Sequence, residues 1–311
     1  MKNQLKKINF NHSFIFFLFC NIFSLTFLKF ENLVFSPLFC LLLILSIGVS
    51  HGSLDHIKGK KLLKIFEIQS IYIFYLLYIF IASTVIVLWT IIPSVSLTIF
   101  LIVASFHFGK EDTQFLIAEN SYYNQLLFFL KGLLVILAPM FFHFEETISI
   151  FKLLLIDNES FYRTLNFIEM NNLILFGIIL STLSSILLFT KEFELKKFTI
   201  FLDYFSILII NYYLSPLMAF TIYFCFLHSI RHTISLAIEM DNSNLKNGLK
   251  LFAQKSLPLT VLTAILSLLG LYFLNNVYEL NSAILKIIFI GLASLTFPHI
   301  LLEYLIEKNE K

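Results

Sequence analysis

The chain has 311 residues, of which 58% are hydrophobic and 14% are charged, and its formal net charge is +2. Such a composition cannot cover a soluble globule with a charged shell, and the absence of a basic patch excludes a typical nucleic-acid-binding protein. Cys20, Cys40 and Cys225 lie singly in apolar segments, which indicates neither a disulfide framework nor a thiolate metal site. The composition predicts an all-α, polytopic membrane protein.

Apolar segments of membrane-spanning length recur along the whole chain. A hydrocarbon core about 30 Å thick requires roughly 20 apolar residues in a helix. Ten runs reach or approach this length, and they cover residues 13–30, 33–51, 67–92, 94–109, 122–142, 171–190, 198–214, 216–236, 256–274 and 283–304. The mixed stretch 143–170 predicts one or two interfacial helices. We therefore expect a single integral-membrane domain over residues 1–311, a bundle of about ten spans.

The first run follows three lysines but lacks a small-residue cleavage site. We interpret residues 1–30 as a retained additional span and not as a signal peptide. Most lysines fall in loops on the same side as the N-terminus, whereas the opposite loops carry little beyond Lys29, Lys152 and Arg163. By the positive-inside rule, both termini are expected in the cytoplasm, with the protein multi-pass in the cell (inner) membrane.

Two histidines stand four residues apart in an apolar, aromatic run. His228 and His232 are separated by about 40° around a helix axis, so both imidazoles can reach one metal ion. Ionisable groups inside a membrane helix are costly and are functional candidates by default, although a polar contact within the bundle would give the same pattern. Measured along their runs, His51, His107 and His299 come to a similar depth in the cytoplasmic half.

A metal ion at this depth would be bound mostly by nitrogen. The candidate ligands are His51, His107, His228 and His232. Such a set suits iron, copper or zinc, and it suits calcium or magnesium poorly. We interpret His12 and His143 as interfacial residues. His56, five residues after His51, is aimed differently on a helix and is expected in a loop or outside the ligand set.

Two aspartates follow candidate ligands closely. Asp55 comes four residues after His51, and Asp112 comes five residues after His107. A carboxylate at such a position could accept the second ring N–H of a histidine and so fix its tautomer and orientation. Alternatively, each aspartate caps a helix end or faces cytoplasmic water.

Two basic groups complete the candidates around the metal. His299 follows Pro298, which interrupts the hydrogen bonding of a helix, and we expect it in a pocket or beside the ligands. Arg231 lies between the two histidines of the 228–232 run and needs an acidic partner. The candidate partners are Asp203, Glu239 and Glu303. Arg231 either locks the bundle or takes part in the chemistry.

Four motifs together resemble a known family. HGSLD at residues 51–55, FHFG at 106–109, HSIRH at 228–232 and FPH at 297–299 are similar to motifs of the bacteriorhodopsin-related protein (Brp) and Brp-like protein (Blh) family. Its members are membrane β-carotene 15,15′-dioxygenases. The resemblance covers about residues 45–305, with the motifs in the expected order, and residues 1–30 lie outside it. Ser53 stands where many members have alanine.

The resemblance implies a function and a cofactor. It implies Fe²⁺ bound by His51, His107, His228 and His232, and cleavage of β-carotene from the lipid phase by O₂ to give two retinal molecules, with a rhodopsin as a possible acceptor. An apolar polyene needs an apolar tunnel. The aromatic candidates for its wall are Phe106, Phe108, Tyr223, Phe224 and Phe226.

Two other classes of protein also place histidines within a membrane. A transporter of metal ions or protons would usually carry acidic residues in mid-span and an internal repeat, and the sequence has neither. A di-iron lipid desaturase or hydroxylase would need about eight ligands, more than the clustered histidines supply. The amount of bound iron per chain distinguishes these classes.

The predicted topology can be tested with reporter fusions. Fusions after Lys61, Lys197 and Lys255 should report the cytoplasm, because these residues lie in the lysine-rich loops. Fusions near Asn158 and Asn276 should report the opposite side. Cytoplasmic readings at both of these positions would contradict the ten-span arrangement.

Overall fold

The structure is a computed structural model that describes residues 2–29, 36–117, 121–191 and 194–309, with the side chains of residues 2, 27–29 and 51 left out. Every regular element in these ranges is helical, which confirms the all-α class. The α-helices are α1 (Lys2–Lys29), α2 (Pro37–Leu43), α3 (Asp55–Ile65), α4 (Ile71–Ile91), α5 (Pro93–Glu111), α6 (Tyr122–Phe142), α7 (Phe144–Leu153), α8 (Glu159–Met170), α9 (Leu173–Thr190), α10 (Thr199–Tyr213), α11 (Pro216–Ile222), α12 (Ile230–Met240), α13 (Leu245–Leu274) and α14 (Leu280–Asn309). The shorter segments are π-helices at Ile44–Gly48 and Tyr223–Ser229 and 3-10 turns at Val49–Leu54, Gln114–Leu116 and Leu195–Phe198.

Eight helical segments in the described ranges are long and apolar enough to cross a membrane. They are Asn3–Thr26, Pro37–Ile65, Ile71–Ile91, Pro93–Leu116, Tyr122–Phe142, Leu173–Thr190, Leu245–Leu274 and Leu280–Asn309. The expected runs 198–214 and 216–236 are not among these segments. Helix α10 has 15 residues, a length of about 22 Å, and the second run carries two histidines and an arginine. A count of ten spans and the cytoplasmic termini therefore stay predictions.

The run from Pro216 to Met240 is the centre of the bundle. It is one continuous helical rod, formed by α11, the π-helix and α12, and most of its side chains are buried. The second π-helix, Ile44–Gly48, packs directly against it, and the Ser229 hydroxyl donates a hydrogen bond to the Gly48 carbonyl at 3.2 Å. Such wide turns are frequent at functional sites because they rotate the side chains that follow.

Helices α5 and α6 approach each other closely enough for their backbones to touch. A Cβ atom built on Gly109 would collide with the backbone of Phe128 and Gly132, and one built on Gly132 would collide with the Ser105 carbonyl oxygen. Small residues commonly permit this kind of contact between membrane helices. Glycine at both positions therefore fixes the part of α5 that carries His107.

The remaining helices surround this centre. Helix α1 packs against α10, and helices α4 and α13 each pack against α14. Only 6% of the apolar window of α4, and 6% of that of α13, is buried within the protein, so both lie at the periphery. The stretch expected to be interfacial, 143–170, forms helices α7 and α8, and α8 has no buried residue.

Candidate metal centre

Four histidines from three different parts of the bundle lie side by side. The ring centroid of His107 on α5 is 5.2 Å from that of His228 and 5.3 Å from that of His299 on α14. The His299 centroid lies 5.8 Å from that of His232 on α12. All four side chains are buried. The expectation that separate helices bring imidazoles to a common depth is confirmed for these four.

The His51 side chain lies outside the described residues, so its position relative to the cluster stays a prediction. Its backbone belongs to the 3-10 turn Val49–Leu54, which follows the π-helix that contacts the His228 segment. Neighbouring residues of the same turn, Gly52 and Ser53, line the cavity beside the cluster.

Two of the imidazoles are held by aspartate carboxylates through Nδ1. His228 Nδ1 lies 3.2 Å from Asp112 Oδ1, and His299 Nδ1 lies 2.8 Å from Asp55 Oδ1. Because an ionised carboxylate only accepts hydrogen bonds, Nδ1 carries the proton in each pair, and the metal-binding lone pair is then on Nε2. Carboxylates with this role were expected from the sequence.

Each of these aspartates contacts a histidine that lies far from it in the sequence. Asp112 was expected to orient His107, yet it contacts His228, because the turn after α5 directs its side chain towards the central rod. For Asp112, sequence proximity was the wrong guide, since its carboxylate serves a histidine on another helix. Asp55 contacts His299 and the Tyr78 hydroxyl, which donates at 2.9 Å. Its expected contact with His51 stays a prediction, because the His51 side chain lies outside the described residues.

Asp112 also joins the cluster to a buried ion pair. Its Oδ2 accepts a hydrogen bond from the Tyr223 hydroxyl at 2.7 Å, and its Oδ1 lies 3.7 Å from Arg231 Nη1. Arg231 is 1% exposed and donates to both carboxylate oxygens of Asp203 at 2.8 and 3.0 Å. It also donates to the Ser13 hydroxyl of α1 at 2.6 Å. Asp203 is thus the acidic partner among the three candidates, and Arg231 locks four parts of the bundle together.

Two glutamates that the sequence did not single out as metal-site residues belong to the cluster. Glu303 lies one turn after His299 on α14; its Oε2 is 3.9 Å from His107 Nδ1 and its Oε1 is 3.6 Å from His299 Nε2. Glu111 Oε2 lies 3.1 Å from His232 Nδ1. The HxxxE spacing at residues 299–303 was a usable signal, because positions four apart share a helix face.

The chemistry of these donors fits a metal ion. Two groups of three residues offer one donor atom each within 4.8 Å of one another, namely His107, His299 and Glu303, and Glu111, His232 and Glu303. Imidazole together with carboxylate suits iron, zinc or manganese, and two histidines with one carboxylate is the arrangement typical of non-haem Fe²⁺ oxygenases. The described residues can therefore hold a metal.

The other histidines lie apart from the cluster or at its edge. His143 ends α6, eleven residues and about 16 Å beyond the Gly132 contact with α5, and its Nδ1 is 4.0 Å from Glu146. His56 lies in α3, with Nδ1 3.0 Å from the Ser53 carbonyl oxygen, and it lines the cavity beside the cluster.

His12 does not precede the first helix as we expected. Because α1 already begins at Lys2, His12 lies almost three turns inside the helix. Its Nε2 is 2.8 Å from the Phe226 carbonyl oxygen on the central rod, to which it donates a hydrogen bond. Helix α1 is therefore joined to the segment that carries His228.

A cavity of about 260 Å³ adjoins the cluster. By the same kind of measure one water requires roughly 10–15 Å³, so the cavity is far larger than a water site. His107, His228 and His299 form its inner end, and its other walls are mostly apolar side chains. The Phe108 ring packs edge-on against His228 at 4.9 Å, and the Phe224 ring stacks on it at 5.9 Å.

Only part of the predicted aromatic wall lines this cavity. Phe108 and Phe224 do so. Phe106 lies under the Lys110 ammonium, Tyr223 bonds to Asp112, and Phe226 packs against Phe19 of α1. The prediction from the sequence could not separate these faces, because the π-helix changes the rotation from one side chain to the next.

Comparison with known proteins gives two similarities. The sequence model of the family described as beta-carotene 15,15′-dioxygenase matches residues 42–307. The chain is also 26% identical over 267 residues to a beta-carotene 15,15′-dioxygenase of the uncultured marine bacterium 66A03, covering 84% of this chain and 90% of that protein. No solved structure matches.

Breaking the buried Arg231–Asp203 ion pair should lower the free energy of unfolding far more than breaking an exposed ion pair. Asp203→Asn leaves the Arg231 charge without its bidentate partner, and we expect a loss of about 3–5 kcal/mol in the free energy of unfolding. As the control, Glu159→Gln breaks the Arg163–Glu159 pair, whose side chains are 77% and 85% exposed, and should cost at most about 1 kcal/mol. Denaturant unfolding in detergent measures both. Equal losses would show that Arg231 does not depend on Asp203.

Proposed function

Because this chain belongs to the β-carotene 15,15′-dioxygenase family and is thus a carotenoid-cleaving dioxygenase, we propose that its reaction takes place at the histidine cluster with Fe²⁺ as the cofactor. The reaction is cleavage of the central 15,15′ double bond of β-carotene by O₂ to give two retinal molecules. The single observation that carries this proposal is the group of buried imidazoles, oriented by carboxylates, at the inner end of an apolar cavity.

The proposed iron ligands are the four histidines of the family-like motifs, His51, His107, His228 and His232. A ferrous ion bound by neutral imidazoles would supply the redox chemistry needed to activate O₂ towards an alkene. The protein's contribution is orientation. Asp112 holds the His228 ring and Glu111 holds the His232 ring, each through Nδ1, which directs the second nitrogen of both rings to the metal.

The cavity supports the proposed substrate. A carotenoid is a long apolar polyene that dissolves in the bilayer, and its reacting double bond must be brought to the metal without water. Phe108 and Phe224 lie between the apolar walls and the imidazoles, so they would contact the polyene close to the reacting carbons. Tyr78 closes the polar end, where its single hydroxyl proton is shared between Asp55 Oδ2 at 2.9 Å and the Leu295 carbonyl oxygen at 3.2 Å.

The cellular location of the reaction and the acceptor of its product can be inferred from the apolar nature of retinal. Retinal is apolar, so it can leave through the same lipid phase that supplies the substrate. We propose the cell (inner) membrane as the location and a rhodopsin as a possible acceptor of the retinal. Expression in bacteria that accumulate β-carotene, followed by analysis of the extracted pigments, would show retinal if central cleavage occurs and a different apocarotenal if the position differs.

Iron content tests the ligand assignment. Replacing His51, His107, His228 or His232 by alanine should abolish cleavage and lower the iron bound per chain, because each imidazole supplies a donor that nothing replaces. His143→Ala is the matched control and should retain both iron and activity. Full iron content in all four variants would contradict a metal at this cluster. An essential His143 together with a dispensable His107 would do the same.

A further inference from the structure

We propose that Glu303 is an additional ligand to the metal, so that the centre combines imidazole with carboxylate. This inference rests on the proposed function, since it concerns the same metal. Glu303 is the residue shared by both groups of potential ligands, one containing His107 and His299 and the other containing Glu111 and His232. No other described residue belongs to both groups. An ion bound by Glu303 would therefore be within reach of imidazoles from α5, α12 and α14.

The two oxygens of Glu303 have different neighbours. Oε1 accepts a hydrogen bond from the Lys58 ammonium of α3 at 2.8 Å and lies 3.6 Å from His299 Nε2. Oε2 lies 3.9 Å from His107 Nδ1. A carboxylate can bind Lys58 through one oxygen and a metal ion through the other, because each oxygen has two lone pairs.

The orientation of His299 supports the same assignment. Asp55 holds its Nδ1, so its metal-binding nitrogen is Nε2, the atom nearest Glu303. His107, His299 and Glu303 together offer two imidazoles and one carboxylate, a mixture of donors that non-haem iron sites use. The negative charge would also offset part of the metal's charge in an apolar bundle.

Glu303→Gln tests this proposal, and Glu307→Gln is its matched control. Glu307 lies one turn further along α14, where it pairs with Lys110 at 2.5 Å and is 40% exposed. With both variants purified and loaded with ferrous iron, Glu303→Gln should bind iron about 10–100-fold more weakly and change the spectrum of the nitrosyl adduct. Glu307→Gln should match the wild type in both measurements.

Each outcome has a separate meaning. If Glu303→Gln binds iron as the wild type does while His107→Ala does not, the carboxylate ligand is wrong and the proposed metal centre stands. If both variants keep their iron, the proposed function fails together with this inference. Equal losses of iron binding in Glu303→Gln and Glu307→Gln would assign the effect to the overall negative charge at this end of α14 and would overturn the ligand role.

A different observation carries a second proposal: the opening between helices α4 and α13 is the port through which the polyene enters from the membrane. This proposal also rests on the substrate of the proposed function. Ile79 of α4 and Leu262 and Leu266 of α13 line the cavity and are nevertheless 62%, 49% and 59% exposed. Residues that face both a cavity and the outside mark its mouth.

The packing of the two helices explains the opening. Helices α4 and α13 each pack against α14, and both contribute residues to the lining of the cavity. The cavity residues of α4 lie on one face at 74, 75, 78 and 79, and those of α13 lie at 259, 262, 263 and 266. Both faces therefore line one slot that leads from the peripheral, apolar surface to His107 and His228.

The composition of the slot identifies its occupant. Apart from Thr263, the slot residues of α4 and α13 are aliphatic or aromatic, and the imidazoles lie at its inner end. A polar substrate would have to cross the lipid-facing side of α4 and α13, whereas an apolar polyene is already dissolved there. Entry from the lipid thus needs no movement of the substrate through water.

Reversible obstruction at Leu262 tests the port. The three native cysteines are at most 1% exposed, so a single introduced cysteine can be labelled selectively. Leu262→Cys, labelled in vesicles with a trityl methanethiosulfonate, should lose about tenfold or more in kcat/KM for β-carotene and recover it when dithiothreitol removes the label. Leu269→Cys is the matched control, since Leu269 lies on the same helix, is 50% exposed, and does not line the cavity.

The comparison is made within each protein, before labelling, after labelling and after reduction, with mass spectrometry to establish complete modification. Iron content is measured in the same samples, so that loss of metal is not mistaken for obstruction. Unchanged turnover in fully labelled Leu262→Cys would overturn the port, and so would an equal loss in labelled Leu269→Cys. Neither result would affect the ligand assignment, which depends on iron binding.

Discussion

The structure depends on the neutralisation of Asp112, a carboxylate buried within an apolar bundle. An ionised group in such a place is tolerated only when charges and donors surround it. Arg231, Tyr223 and His228 provide them, and Arg231 is itself neutralised by Asp203. The His228 ring is thereby connected to α10 and α5 through polar contacts. The orientation of an imidazole and the assembly of the bundle are consequences of one network.

The two π-helices set the geometry of that network. The first precedes His51 and the second contains His228. They touch where the Ser229 hydroxyl donates a hydrogen bond to the Gly48 carbonyl oxygen. A regular helix would have aimed its side chains at intervals of about 100°. The wider turns instead let Phe224 stack on His228 while the polar side of the same rod faces Asp112. One rod thus contributes Phe224 to the aromatic wall and His228 and His232 to the histidine cluster.

Much of this could be predicted from the sequence, for identifiable reasons. Hydropathy gave the helical membrane class, and the depth of each histidine along its run brought His107, His228, His232 and His299 together, because helical rise converts position into distance. Depth does not give rotation, so the sequence could not assign Asp112 to its histidine. Nor did hydropathy separate a lipid-facing span from the buried rod at 216–240, since both are apolar.

The contact between Gly109 and Gly132 has a consequence for how this protein can diversify. Because two backbones touch there, α5 cannot rotate or slide without separating from α6, and no repacking of side chains can re-aim His107. The parts of α4 and α13 that line the cavity have no such glycine contact. The backbone contact of α13 is at Gly248 with Ala237 of α12, away from its cavity residues 259–266. Selection acting on the length or ring substituents of the polyene can therefore alter the walls while the chemistry is inherited unchanged.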